Sequence, residues 1–168
     1  MDKTAEFMGI EIKEDEQVGI NKGQLRQLII ETLREINMCS PAAVNLLMGT
    51  AAQESNMGEY IKQIHGPALG IFQLEPKTCL DIEKYLQYKP KLYGYVLDNT
   101  AACSPGELSW NLKFAIIMCR YHYWRVPEKL PEFYNTWGMA LYWKKYYNSS
   151  IGRGTVAEFV ANYERYVM

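Results

Sequence analysis

Residues 51–73 read AAQESNMGEYIKQIHGPALGIFQ, and this stretch decides the fold and the chemistry that the sequence predicts. A run of small and apolar residues ends at a carboxylate, Glu54, and a polar loop follows. The loop leads into the compact segment of residues 66–73, GPALGIFQ. An apolar run followed by a carboxylate, a polar loop and a compact glycine-containing segment is not typical of a surface helix. It is typical of a cleft at the end of a buried helix. The stretch therefore predicts an active-site cleft around Glu54.

Composition places the chain among globular proteins of one domain. Its 168 residues are 48% hydrophobic and 22% charged, which allows a core without metal or disulfide support. The formal net charge is −1 and no long basic run occurs, which argues against nucleic acid as a partner. The first residues lack the pattern of a signal peptide, and no apolar stretch is long enough to span a membrane.

The spacing of apolar residues predicts helices along most of the chain, so the predicted class is all-α. Residues 1–20 hold six acids against two bases and are predicted to form an acidic arm, outside a single domain of residues 21–168. The predicted helices cover residues 24–36, 41–55, 76–86, 91–97, 104–126 and 133–147, with a last helix from 155 onward. Capping-box patterns begin the fifth helix, at Ser104 and Glu107, and the last helix, at Thr155 and Glu158.

The cysteines and histidines predict no metal site and no cofactor. The four cysteines have no CxxC spacing, and the two histidines stand alone without a His-Glu-x-x-His pattern, which argues against a zinc hydrolase. Cys79 and Cys119 fall on apolar helix faces, so we expect both to be buried free thiols.

Glu54 is the candidate for acid chemistry. If it ends a buried helix, the partial negative charge of the helix C-terminus and the apolar surroundings both raise its pKa. A carboxylic acid that stays protonated near neutral pH can give a proton to a leaving-group oxygen, as cleavage of a glycosidic bond requires. The alternative is a half-exposed glutamate that caps nothing, and carboxylates with perturbed pKa values also occur in structural networks.

A motif continues from this glutamate. Residues 53–55 (QES) are followed, sixteen residues after the glutamate, by residues 70–73 (GIFQ) and then by residues 74–78 (LEPKT). This order resembles the soluble lytic transglycosylases, which have Glu-Ser, then Gly-Leu-Met-Gln, then a Pro-x-Thr helix start. The resemblance extends more weakly through residues 111–123 and covers about residues 41–150. It implies a lysozyme-like α-helical fold, of the goose-type lysozyme and lytic transglycosylase kind.

The resemblance implies a role for each matched residue of the motif. Glu54 would act as acid and then as base on the bond between N-acetylmuramic acid and N-acetylglucosamine of peptidoglycan, leaving a 1,6-anhydro end. Ser55 would support the site and Gln73 would bind the sugar. Phe72 stands where the family has Met, and it would form part of an apolar wall facing the sugar.

The family's last motif, Ala-Tyr-Asn, has two possible counterparts. Tyr147, followed by Asn148, would hydrogen-bond Glu54 and orient it, with Asn148 at the substrate; Tyr142 is the rival for the tyrosine. Ser149 and Ser150 follow instead of the family's Ala-Gly. In the aromatic cluster around these residues, Trp143 and Lys144 are predicted to contact the substrate.

Two other functions stay open at this point. A muramidase would hydrolyse the same bond with water, using Glu59 or Glu75 as a second carboxylate, although both also fit solvated acids near a helix start. A structural or assembly protein of lysozyme-like fold would bind peptidoglycan or a partner without catalysis. The loop of residues 152–155 is glycine-rich but lacks a preceding strand and a following lysine, so a helix start explains it better than a phosphate site.

The biological setting is predicted from the proposed wall-cutting activity and not from any single residue. A wall-cutting domain of this kind fits a component of a bacteriophage particle or a lysis enzyme, or an accessory of a secretion or conjugation apparatus, delivered to the bacterial cell wall or periplasm. The acidic arm of residues 1–20 would dock to that machinery.

Overall fold

The computed structural model describes residues 19–102, 104–148 and 152–168. Residues 1–18, which make up most of the predicted acidic arm, lie outside the described residues, as do Cys103 and residues 149–151. The regular elements of the described ranges are helices joined by loops. The helices are α1 (Lys22–Glu35), α2 (Pro41–Ser55), α3 (Pro76–Leu86), α4 (Pro90–Asp98), α5 (Leu112–Trp124), α6 (Thr136–Trp143) and α7 (Val156–Tyr166).

Two shorter helical pieces complete the described chain: a 3-10 turn, Pro105–Ser109, and a π-helical turn, Lys144–Asn148. Isolated bridges at Leu69 are the nearest approach to a strand within the described ranges. The all-α class is therefore confirmed. None of the helices in these ranges is both long and apolar enough to cross a membrane.

Helix α2 runs through the middle of the core. The Ser40 hydroxyl accepts a hydrogen bond from the Ala43 N–H at 3.1 Å, and Pro41 occupies the first turn, so the predicted start is confirmed. The helix is apolar on nearly every side, and most of its residues are buried. It ends at Asn56, which adopts a left-handed conformation with φ of 50°. Glu54 therefore lies in the last turn of a buried helix, as predicted.

Helix α7 packs against α2 and α6. Both halves of its predicted capping box form: the Thr155 hydroxyl accepts from the Glu158 N–H at 3.2 Å, and the Glu158 carboxylate accepts from the Thr155 N–H at 2.6 Å. Phe159 and Tyr163 project from α7 into the core, where both are buried. This packing places the start of α7 beside the end of α2.

Two of the cysteines are buried free thiols, as predicted. Cys79 on α3 and Cys119 on α5 are completely inaccessible to solvent, whereas Cys39 is exposed. Burial raises the pKa of the Cys79 thiol to about 12. Both buried cysteines therefore behave as small apolar side chains of the core.

The predicted helix over residues 104–126 is wrong in its first third. Ser104 caps only the 3-10 turn, and α5 has a separate start at Asn111, whose side chain accepts from the Phe114 N–H at 3.1 Å. Glu107 does not close a capping box. Its side chain is 1% exposed and turns inward. Ser104 and Glu107 therefore have the spacing of a capping box without forming one.

Glu107 organises the segment before α5. Its carboxylate accepts four hydrogen bonds at 2.6–3.1 Å, from the hydroxyl of Thr100, the N–H groups of Ala101 and Ala102, and the Asn111 amide. Burial alone would raise its pKa, but these hydrogen bonds outweigh burial and lower the pKa of Glu107 to about 2. The Glu107 carboxylate thus ties the backbone of residues 101–102 to the 3-10 turn and to the start of α5.

The predicted helix over residues 133–147 also differs. Helix α6 begins after Asn135 and ends at Trp143, and the chain continues as the π-helical turn. A π turn holds one more residue than an α turn, so side chains beyond it point in shifted directions. The carbonyl of Tyr146 within this turn accepts a hydrogen bond from His122 Nε2 at 3.0 Å, which ties the turn to α5.

Candidate active site

A cleft of about 520 Å³ opens at the C-terminal end of α2. Its walls come from α2, the loop between α2 and α3, α5, the π-helical turn and the loop before α7. The lining residues are Gln53, Glu54, Gln63, Ala68, Gln73, Leu74, Glu75, Thr78, His122, Trp143, Tyr147, Asn148, Gly152, Arg153 and Gly154. The structure therefore brings four of the predicted site residues together: Glu54, Gln73, Tyr147 and Asn148.

Glu54 is half-buried at one wall of this cleft. Its Oε1 accepts a hydrogen bond from Trp143 Nε1 at 2.8 Å. The last turn of α2 contains no basic residue, so no nearby cation on that helix stabilises the ionised carboxylate. Among the described residues, the hydrogen bond to this half-buried carboxyl group comes from a neutral donor.

The protonation of Glu54 follows from these surroundings. Burial raises the pKa of the carboxyl from 4.5 to about 7, and the hydrogen bond from the Trp143 indole acts in the opposite direction. A substantial share of the molecules therefore carries a neutral carboxylic acid at neutral pH. That is the condition a general acid needs, because both the proton and the ionised form must be within reach.

Ser55 lies behind the cleft and not in it. Its hydroxyl is buried, donates to the Ile71 carbonyl at 2.6 Å and accepts from the Gly58 N–H at 2.8 Å. These bonds fasten the end of α2 to the loop that carries residues 70–73. The supporting role that the resemblance implied for Ser55 is the role that its contacts allow.

Gly70 sets the path of this loop. It has φ of +76°, and an added Cβ would collide with the Leu108 carbonyl of the 3-10 turn, so a larger residue there would displace the loop. Three residues later, Gln73 has φ of 47° and donates from Nε2 to the Gly70 carbonyl at 2.8 Å. Its Oε1 is left as the amide atom that can accept from a ligand.

The prediction that Phe72 faces the sugar is wrong. Its side chain is 1% exposed and belongs to the hydrophobic core. The tight turn between Gly70 and Gln73 directs the ring inward, where burying a large apolar group is most favourable. Phe72 reaches the site only through its backbone, because its carbonyl accepts from the Tyr147 hydroxyl at 2.7 Å.

Neither tyrosine holds Glu54 in the way the resemblance implied. Tyr147 lines the cleft, but its hydroxyl is engaged by the Phe72 carbonyl, and its ring packs 5.2 Å from that of Tyr123. Tyr142 is buried outside the cleft lining and donates to the Glu128 carbonyl at 3.0 Å. Among the described residues, the hydrogen-bond donor to Glu54 is Trp143, at the end of α6.

The contacts of Trp143 and Lys144 differ from the substrate contacts that were predicted for them. The Trp143 side chain is 0% exposed, and its indole N–H donates a hydrogen bond to Glu54. Lys144 Nζ donates to Asn148 Oδ1 and to the Gly152 carbonyl, each at 2.7 Å. The lysine thus joins the π-helical turn to the loop before α7, and Asn148, which lines the cleft, keeps its Nδ2 as a donor for a ligand.

The two candidates for a second carboxylate differ in their position relative to the cleft. Glu59 is exposed, accepts from Asn56 Nδ2 at 2.9 Å, and lies outside the cleft lining. Glu75 lines the cleft and lies 3.3 Å from Lys77 in an exposed ion pair. Only Glu75 among these two is placed to act on a ligand bound beside Glu54.

His122 is a cleft residue that sequence reasoning missed. Burial lowers its pKa to about 4, so the imidazole is neutral at ordinary pH. With Nε2 donating to the Tyr146 carbonyl, and with its ring 5.0 Å from that of Tyr147, it braces the π-helical turn. A single histidine on an apolar helix carried no pattern that would have marked it.

No group of three or more His, Cys, Asp or Glu side chains that could hold a metal ion occurs within the described ranges. Comparison of the chain with protein-family models, with curated proteins and with solved structures found no match in any of the three. The lysozyme-like identity of the fold, peptidoglycan as partner and a virion or secretion setting accordingly stay predictions. What the structure contributes is the geometry of the cleft around Glu54.

Proposed function

We propose that the protein is a peptidoglycan lytic transglycosylase in which Glu54 is both the acid and the base. The observation that carries the proposal is a carboxyl group at the wall of a 520 Å³ cleft, with its pKa raised to about 7 and with the neutral Trp143 indole as its hydrogen-bond donor among the described residues. A carboxyl group of that kind can give and retake a proton near neutral pH, and retaking it is the step that a second carboxylate would otherwise perform.

In the first step the neutral Glu54 carboxyl gives its proton to the glycosidic oxygen. The bond between C1 of N-acetylmuramic acid and that oxygen breaks, and its electron pair stays on the oxygen. N-acetylglucosamine therefore leaves with a hydroxyl group at its C4, and C1 is left with a positive charge that it shares with the ring oxygen. Glu54 is now ionised in its partly buried position, with the Trp143 indole as its hydrogen-bond donor. The burial that raises its pKa also makes the following return of a proton favourable.

In the second step the ionised Glu54 takes the proton from the C6 hydroxyl of the muramic acid ring. O6 forms a bond to C1, and the product is a 1,6-anhydro end. No water is consumed, and Glu54 returns to its protonated state. Because the nucleophile belongs to the substrate itself, proximity replaces the positioned water that other glycosidases require.

The polar groups of the cleft suit an N-acetylated sugar. Gln73 keeps an amide oxygen as acceptor because its nitrogen is bound to the Gly70 carbonyl. Asn148 keeps an amide nitrogen as donor because its oxygen is bound to Lys144. An acceptor and a donor in the same cleft are what the N–H and the carbonyl of an N-acetyl group need.

Hydrolysis by water is the second candidate, and the position of Glu75 favours it. This carboxylate lines the same cleft as Glu54, so it could activate a water molecule. Its ion pair with Lys77 and its exposure give it a solvated surrounding unlike that of Glu54. We rank hydrolysis below transglycosylation because the raised pKa of Glu54 supports both proton transfers by one residue.

Release of soluble fragments from purified peptidoglycan tests the proposal. Glu54→Gln should lower the rate about 10³-fold, since it removes the acid and base but keeps an oxygen for Trp143. Glu59→Gln, at an exposed acid outside the cleft, is the matched control and should keep the wild-type rate. If Glu54→Gln releases fragments as fast as the control, or if the wild type binds peptidoglycan without releasing fragments, the proposal fails.

A further inference from the structure

The hydrogen bond between Trp143 and Glu54 has a direction that favours one position for a proton. An indole N–H can donate and has no lone pair to accept. The bond runs from Nε1 to Oε1 of Glu54 at 2.8 Å. When the carboxyl group is neutral, its carbonyl oxygen is a stronger acceptor than its hydroxyl oxygen, so the indole at Oε1 favours the acid hydrogen on Oε2.

The indole has little freedom to leave this position. Trp143 is 0% exposed, and its ring lies 5.4 Å from that of Phe159 on α7. A Cβ added at Gly154 would approach Cη2 of the indole to 2.6 Å and the Gln53 Nε2 to 3.1 Å. The other end of the Gln53 amide accepts from Asn162 Nδ2 at 2.8 Å, which joins α2 to α7. The loop before α7 therefore closes directly on the indole.

We propose that Trp143 is a positioning residue that keeps the transferable proton of Glu54 on Oε2, and that Gly154 and α7 hold the indole in place for this purpose. The inference rests on the proposed function. It also gives a purpose to the glycine-rich loop of residues 152–154, because glycine at 154 leaves the space that the indole occupies. One oxygen, Oε2, then gives the proton to the leaving group and later receives one from the C6 hydroxyl.

Nuclear magnetic resonance of the indole N–H groups tests the position of the proton without relying on activity. The chain has four tryptophans, and Trp143→Phe identifies the signal of interest. In the wild type this signal should move with a midpoint near pH 7, because its acceptor changes from a carbonyl-like oxygen to a carboxylate. In Glu54→Gln the signal should stay in its low-pH position across the range, since the amide oxygen accepts while the NH₂ group replaces Oε2.

The other titratable groups near Glu54 do not mimic this result. From α5, burial raises the pKa of Cys119 and Tyr123 and lowers that of His122 to about 4. From the π-helical turn, burial raises the pKa of Tyr147 well above its usual value. Glu75 and Arg153 are the remaining charged residues of the cleft lining, and substituting each in turn shows whether it contributes to the change in the indole signal.

Kinetics of two variants provide the second readout. Trp143→Phe removes the donor, so kcat should fall about tenfold to a hundredfold with little change in KM, and the alkaline limb of the pH profile should move upward. Gly154→Ala keeps the donor but displaces the ring, and should move the same limb in the same direction by less. Trp137→Phe changes an exposed tryptophan of the same helix and should match the wild type.

The outcomes separate the two proposals. An indole signal that titrates near pH 7 in an inactive protein would support the positioning role and overturn the proposed function. An active protein whose Trp143 signal does not titrate, or whose signal in Glu54→Gln shifts to that of a solvent-exposed indole, would overturn the positioning role. So would an unchanged pH limb in both Trp143→Phe and Gly154→Ala.

Discussion

Trp143 Nε1 and Glu54 Oε1 are 2.8 Å apart in space and 89 positions apart in the sequence. One belongs to the last turn of α6 and the other to the last turn of α2, so the hydrogen bond joins two helix ends at the cleft. The bond opposes the effect of burial on the Glu54 pKa without cancelling it. The carboxyl group is thereby kept ready to exchange a proton, at a cost to the stability of the fold.

That cost predicts how Glu54→Gln changes stability with pH. The folded-state pKa of about 7 lies above the ordinary value of 4.5, so the folded protein binds this proton more tightly than the unfolded chain. Stability from this group is present below pH 4.5 and is lost as the pH rises toward 7. At pH 8 the glutamine variant should be more stable than the wild type, by at most about 3 kcal/mol.

Urea unfolding at pH 4 and at pH 8 measures this difference. The two proteins should differ least at pH 4, where Glu54 is neutral in both the folded and the unfolded state. Glu59→Gln, with an exposed side chain, should show no such dependence. An advantage of the glutamine variant that is the same at both pH values would mean that Glu54 does not titrate differently on folding.

Tyr147→Phe should damage the wall of the cleft and leave the protonation of Glu54 alone. The change removes the donor to the Phe72 carbonyl and should cost about 1–2 kcal/mol of stability, because a buried carbonyl loses its partner. The alkaline limb of the activity profile should stay where it is, since Trp143 remains the donor to Glu54. A limb that moves as far as in Trp143→Phe would restore the orienting role that the resemblance implied for Tyr147.

Glu107→Gln should destabilise the protein at neutral pH by about 3 kcal/mol, as expected when a buried carboxylate loses its charge among four donors. The folded-state pKa of Glu107 is lowered to about 2, so its contribution is present above pH 4.5 and is lost as the pH falls toward 2. The variant and the wild type should therefore converge in acid. Thermal unfolding from pH 2 to pH 7 checks this, and a constant gap would refute it.

Glu75→Gln separates the two enzymatic candidates. If the substrate supplies its own nucleophile, removing this carboxylate should change the rate by less than about tenfold and leave the chemical nature of the products unchanged. If water is activated by Glu75, the same substitution should lower the rate by about 10²-fold or more. The rate of fragment release, compared with Glu59→Gln as control, distinguishes the two.

The sequence predicted the helices wherever caps and apolar spacing agree. The start of α2 at Ser40 and the capping box at Thr155 form as expected because each cap satisfies only groups within its own turn. Ser104 with Glu107 shows the same spacing but fails, because Glu107 satisfies backbone groups of residues 101–102 instead. Local patterns do not reveal which of these partners a buried carboxylate will have.

The sequence likewise predicted the part of the site that lies within one local stretch, and missed contacts between distant residues. Glu54 and Gln73 belong to one continuous stretch, so their spacing and the glycines between them placed them in one cleft. Trp143 comes from a helix 89 positions away in the sequence, so no local pattern could show that its indole donates to Glu54. Phe72 was assigned to the cleft from its position in the motif, whereas the turn after Gly70 sends its side chain into the core.

Mass spectrometry of the fragments released from purified peptidoglycan tests the central claim most directly. The wild type should yield muramic acid ends that are one water lighter than reducing ends, and Glu54→Gln should yield almost none of them. Reducing ends as the main product of the wild type, or anhydro ends released equally by Glu54→Gln, would contradict a single carboxyl group that gives and retakes the proton.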